Sequence, residues 1–166
     1  MTAEFSLAFY RKIRYFRNVI LIKLSLAGKM NADFDTTTQE YVEIIYELQK
    51  NNKVARVKEI AERRGVSRSS VSIALNLLKK KKLIEHENYG LVELTDTGMQ
   101  LGKELEQRHQ IIRDFFVNIL NIEPEIAEND ACKLEHYIHQ DIFNSLVDFV
   151  AFMNENSEWA EKFKQQ

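Results

Sequence analysis

The sequence has one cysteine, Cys132, one proline, Pro124, and only five glycines in 166 residues. One cysteine cannot build an intrachain disulfide framework and suits a reducing compartment, so a cytoplasmic location is expected. So few turn-formers argue against a β-sandwich and favour a mostly helical chain. No apolar run approaches the roughly 20 residues of a membrane span; the longest candidate, 19–27, is split by Lys23. No membrane partner is therefore expected. The net charge of −2 does not advertise a nucleic-acid binder, so any DNA-binding face must come from local clustering. What is present, 45% apolar and 29% charged residues, is the composition of an ordinary soluble domain.

Charge is unevenly spread. Residues 1–29 hold six Lys/Arg against the single acid Glu4, a balance of +5, which leaves −7 for the rest within the total of −2. This basic, apolar stretch lacks clear caps. It reads as a poorly ordered extension over 1–35, with Met30 an alternative start. A signal peptide lacks a small-x-small cleavage site here. A basic amphipathic arm touching DNA or a membrane surface is the remaining reading.

From Thr36 the punctuation becomes regular. Thr36, Thr37 and Thr38 are N-cap candidates for a helix whose Tyr41, Ile44, Ile45 and Leu48 share one face, ending at Asn51-Asn52. A short helix over Val57–Arg64 closes on Gly65 as its C′ residue. Ser67 then caps a third helix with Val71, Ala74, Leu75 and Leu78 as its buried stripe. Helix, glycine-containing turn and helix form the pattern of a helix-turn-helix. Two β-prone runs, 83–86 and 91–95, joined by a turn at 87–90, add a wing. A long amphipathic helix follows from Thr95 to about Asn121, then a helix over Pro124–Tyr137 with proline in its first turn, and an apolar helix over 142–153. The expected fold is mainly α with a small β-hairpin wing: a winged helix-turn-helix domain over 36–95, an all-helical domain over 96–155, and a polar tail over 156–166.

The start of the third helix carries Ser67, Arg68, Ser69, Ser70 and Ser72. Small hydroxyls and backbone amides there suit phosphates, and Arg68 can make a bidentate contact with guanine. Lys79 and the lysines after it, through 82, would lie near the sugar-phosphate backbone. Plain capping explains the serines and a solvated helix end the lysines; the wing that follows tips the balance toward double-stranded DNA.

A second constellation suits a divalent first-row metal. Glu40 and Glu43 lie about 60° apart on the first helix. Cys132, Glu135 and His136 stack thiolate, carboxylate and imidazole on one face of a later helix, and His109 lies midway along the long helix. Each has a plainer alternative: a solvated surface charge, a structural histidine, a small buried cysteine. His86 and His139 read as bystanders. A metal-dependent hydrolase would need a base beside bound water, which nothing outside these residues supplies, so no enzymatic activity is expected.

At this point the chain resembles the diphtheria toxin repressor and manganese transport regulator family. The segments that carry the resemblance are TTTQEYVEIIYELQ, VARVKEIAERRGVSRSSVSIALNLLKKKKLIEHENYGLVELTDTG, EQRHQIIRDFF and NDACKLEHYI, spanning about residues 36–150. It implies a homodimer in which the helical domain supplies dimerisation and metal binding. The implied ligands are Glu40, Glu43, His109, Cys132, Glu135 and His136, and the implied cofactor is Mn(II) or Fe(II). Glu40 and Glu43 resemble the manganese branch, whereas the iron branch has methionine at the position of Glu40. Cys132 resembles the iron branch, since manganese sensors often carry a bridging glutamate there. Arg113 and Glu128 stand where iron-type members build an ancillary site; arginine cannot ligate, so that second site is expected to be absent. The family's optional C-terminal SH3-like domain is not expected either. The implied function is a repressor of metal-uptake genes binding palindromic operator DNA. The competing reading is a winged-helix regulator that does not sense metal.

Overall fold

The computed structural model describes residues 34–52, 54–86 and 90–165. The readings of the 1–29 segment, and of the 87–90 turn apart from Gly90, lie outside the described residues. The chain forms two compact units that divide between Glu106 and Gln107.

The first unit opens with α1, Thr36–Asn52. Its cap is Asp35 rather than one of the three threonines. One Asp35 carboxylate oxygen accepts from the Thr38 amide at 3.0 Å, the other from the Thr38 hydroxyl at 2.8 Å and from Lys81 Nζ at 2.6 Å. Asp35, unlike the threonines after it, carries the charge that also pairs with Lys81. Next come β1, Ala55–Arg56, and α2, Val57–Arg64. Gly65 takes the left-handed conformation, φ 68°, so that its amide reaches the Glu62 carbonyl and the Val66 amide reaches Ala61. This Schellman motif is the reason for glycine there. α3, Arg68–Lys80, starts at Ser67, whose Oγ accepts from the Ser70 amide at 3.1 Å.

The expected hairpin is present, and a third strand joins it. β2, Ile84–His86, and β1 flank β3, Leu91–Leu94, in an antiparallel sheet of order β1-β3-β2. Ala55 pairs with Val92 and Ile84 with Leu94. β1 is too short to show alternation, so only pairing defines it.

The core of this unit joins Val42, Ile45 and Leu48 of α1 to Ile60, Val71, Leu75, Leu78, Val92, Leu101 and Leu105. The last two belong to α4, Asp96–Asp114, so the first turns of this helix are part of the winged unit's core. Close approach is built in by two glycines. A Cβ on Gly102 would fall 2.7 Å from the Tyr46 side chain, and one on Gly98 only 2.1 Å from the Leu83 carbonyl oxygen.

In the second unit α4 widens into a π-helical turn, Phe115–Ile119, followed by α5, Pro124–Tyr137, and α6, Gln140–Glu155. Ile111, Ile112, Ala131, Phe143 and Val147 form one buried cluster and Ile119, Val150 and Met153 another. The long helix thus ends its regular winding at Asp114, short of the expected Asn121, which instead carries φ 57°. Where a polar tail was expected, Ser157–Lys164 forms a further helix, α7. Trp159 and Phe163 lie four apart on it and are both exposed.

Candidate metal centre and DNA-reading helix

The chemistry of the helical unit centres on Glu135. This α5 residue is buried, its side chain fully so, next to two imidazoles. His109 Nδ1, from α4, lies 3.3 Å from one carboxylate oxygen, and His136 Nε2 lies 3.6 Å from the other. Both histidine side chains are largely buried, at 17% and 4% exposure. A carboxylate removed from water needs positive charge or hydrogen bonds to remain ionised. Arg108, one residue before His109, adds to that field. Burial pulls its guanidinium down from the usual value while the Glu135 carboxylate pulls it back up. Arg108 stacks on Phe143 at 4.6 Å and donates to Gln140 Oε1 and the Ile138 carbonyl.

Of the residues singled out by sequence, this unit therefore brings together His109, Glu135 and His136. Cys132, one turn before Glu135, is exposed. His109 Nε2 also meets Glu128 Oε1 at 3.1 Å, and Arg113 Nε donates to the other Glu128 oxygen at 2.7 Å. Arginine thus occupies the carboxylate at the position where an ancillary ion would need a ligand. His139, read as a bystander, accepts the Asp141 amide at its Nδ1 and caps α6. Arg108 was missed. Its one signal was a basic residue in the apolar register of the long helix.

In the winged unit Glu40 and Glu43 lie on α1, both half-buried. Glu40 is ion-paired with Arg64 at the end of α2. Helix α3 and its cap present Ser67, Arg68, Ser69, Ser70, Ser72 and Lys79, all exposed. The serines are internally engaged: Ser67 Oγ lies 2.8 Å from Ser69 Oγ and 2.9 Å from Ser70 Oγ, and Ser72 donates back to the Arg68 carbonyl at 3.0 Å. Lys81 does not join them, because Asp35 and Thr38 hold its ammonium. Ile73, exposed on the same helix, was not among the sequence candidates; the signal was an apolar residue off the buried stripe.

Both units match known protein families. The family model "Iron dependent repressor, N-terminal DNA binding domain" matches residues 33–92, and "Iron dependent repressor, metal binding and dimerisation domain" matches 95–163. The chain is 32% identical over 126 residues to the HTH-type transcriptional regulator MntR of Lysinibacillus sphaericus, a match covering 76% of this chain and 90% of that protein. It is 31% identical over 118 residues to MntR of Bacillus subtilis, covering 71% and 82%. Among solved structures, a manganese-dependent transcriptional repressor in complex with manganese superposes with a TM-score of 0.63 at 28% identity, covering 69% of this chain and 53% of that one. The manganese regulator SloR superposes at 0.59 and 29% identity, covering 68% and 53%. The chain spans about half the length of these two solved structures. No described helix is long and apolar enough to cross a membrane. These matches are to transcriptional regulators, not enzymes. With both of its units matched, this chain belongs to the iron-dependent repressor family, that of the diphtheria toxin repressor and the MntR regulators.

Proposed function

We propose that this protein is a metal-responsive transcriptional repressor that binds palindromic operator DNA as a homodimer when loaded with Mn(II) or Fe(II), and so represses metal-uptake genes. One observation carries the metal half of this reading: the buried Glu135 carboxylate between the imidazoles of His109 and His136. Two nitrogen donors and an anionic oxygen fit a first-row divalent cation, and neutral imidazole is an ordinary ligand for one. The proposed ligands are Glu40, Glu43, His109, Cys132, Glu135 and His136. When bound, the ion supplies positive charge that offsets these acidic groups. Glu40 and Glu43 are hard oxygen donors and favour Mn(II) or Fe(II); the exposed Cys132 thiol pulls toward softer ions. Manganese is preferred, and the names of the relatives support it.

The reading helix supplies the other half. Ser67, Ser69, Ser70 and Ser72 offer hydroxyls to phosphate, Arg68 a fork for guanine, and Lys79 a cation for the backbone. Exposed Phe149, Phe152, Trp159 and Phe163 in the helical unit support self-association. Metal sensing requires only that occupancy and DNA affinity be coupled by about 1–3 kcal/mol.

The test is DNA binding under defined metal. Duplexes enriched from a random-sequence pool by the Mn(II)-loaded protein are titrated with Mn(II), anaerobic Fe(II), Zn(II) and a chelated control. Affinity should rise about 5- to 150-fold with the cognate ion. Equal affinity in chelator would leave a winged-helix regulator that does not sense metal.

A further inference from the structure

On α3 the buried residues Val71, Leu75 and Leu78, with half-buried Ala74, define one face. Directly opposite run Ser69, Ile73, Asn76 and Lys80, at spacings of four, three and four residues, all exposed. Three of them are polar, as a solvated stripe requires. Ile73 is not: at 73% exposure it is the most exposed aliphatic side chain among the described residues. A β-branched side chain on a helix holds essentially one χ1 rotamer, so its methyl groups are presented in a fixed direction. Within a turn of it lie the hydroxyls of Ser69 and Ser72 and the exposed Leu77, while Arg68, Lys79 and Lys80 lie toward the two ends of the helix, where they suit phosphates.

We propose that Ile73 reads a thymine methyl group in the major groove and specifies an A·T pair at one position of each half-site. The inference rests on the proposed DNA-binding function and adds the residue that selects sequence. The physical ground is a mismatch. An apolar ridge of Ile73 and the exposed Leu77 one turn on, set on a face that also carries serine hydroxyls and basic residues, needs a partner that is apolar where the ridge meets it and anionic beyond. DNA offers this combination in the major groove, where the C5-methyl of thymine is the apolar feature on a base edge. Hydroxyl and cation contacts to phosphate carry no sequence information, whereas this contact does.

Uracil in place of thymine removes that methyl and preserves base pairing. Sites enriched from a random duplex pool by the full-length, Mn(II)-loaded protein are resynthesised with deoxyuridine at each thymine in turn. They are then titrated with the parent and with Ile73→Ala. For the parent, one thymine per half-site should lower affinity about fourfold on replacement, as expected when one methyl-sized group returns to water. Ile73→Ala should bind the thymine and uracil duplexes equally. Its affinity for random-sequence DNA should match the parent's, since that binding is electrostatic. Uracil tolerated by the parent at every position, or an equal uracil penalty in Ile73→Ala, overturns the thymine contact alone. Enrichment of no sequence at all overturns the repressor function and the contact with it.

Discussion

A carboxylate such as that of Glu135, buried between two imidazoles, is stable only while neighbouring groups offset its charge. That requirement is what makes His109 and His136 chemically connected rather than merely adjacent. In the proposed ligand set, His109→Ala and Glu43→Ala should each lower metal-stimulated DNA affinity about tenfold or more, the scale of loss seen even for outer-shell changes at metal sites. Circular dichroism should show an unchanged fold. If either variant keeps the parent's metal response, that residue is not a ligand. Asp35 illustrates a different residue-scale effect. The Lys81 ammonium, helped by the Thr38 amide, holds its carboxyl well below the usual carboxylate range. A depressed folded-state value means the contribution is complete above the unfolded value of about 3.9 and is lost as pH falls through the folded one. The difference in urea midpoint between the parent and Asp35→Asn should therefore be constant above about pH 5 and shrink below about pH 4. A difference that grows on acidification would reverse the sign of this assignment.

At the scale of elements, capping and close approach decide where helices begin and how they pack. Gly65 and Gly98 make a matched pair for testing the two. Nothing lies within 4 Å of a Cβ added at Gly65, so alanine there meets only backbone strain at φ 68°, about 1 kcal/mol. At Gly98 the added carbon meets the Leu83 carbonyl oxygen, which already accepts the Thr95 amide at 3.0 Å. Backbone cannot swing aside like a flexible side chain, so Gly98→Ala should cost about 1–3 kcal/mol, the scale of core overpacking. Chemical denaturation of the two variants should rank Gly98→Ala as the more damaging; the reverse order would mean that α4 can shift off the wing. Helix α1 was legible from its apolar periodicity, and α2 and α3 also from their caps: the Gly65 turn and the Ser67 cap are local events, encoded by neighbours in the chain. β1, Ala55–Arg56, was not, because two residues carry no alternation and become a strand only by pairing with Leu91 and Val92. The π turn and α7 escaped for related reasons: one disturbs a continuing apolar pattern, and the other is two short turns rich in polar residues.

For the whole molecule, association and DNA geometry are the consequences to check. A homodimer carrying two reading helices should protect two symmetric half-sites about one helical turn, roughly 34–36 Å, apart in a hydroxyl-radical footprint. Sedimentation should give twice the 19.5 kDa chain mass, and a monomer that binds a single half-site with full affinity would refute the arrangement. The sequence by itself determined the order of the main helices, the helix-turn-helix and the residue types able to bind metal or DNA, because caps, glycine turns and helical spacing act over a few neighbouring residues. Only the tertiary structure decided which of those residues meet: that Glu135 is buried between His109 and His136, that Lys81 serves Asp35 rather than the reading face, and that Ile73 stands in water opposite the core stripe. Such pairings join residues 26 to 46 positions apart, or depend on which helical face finds a core. Packing of the whole chain, not local propensity, chooses among the charged and apolar groups that the sequence makes available.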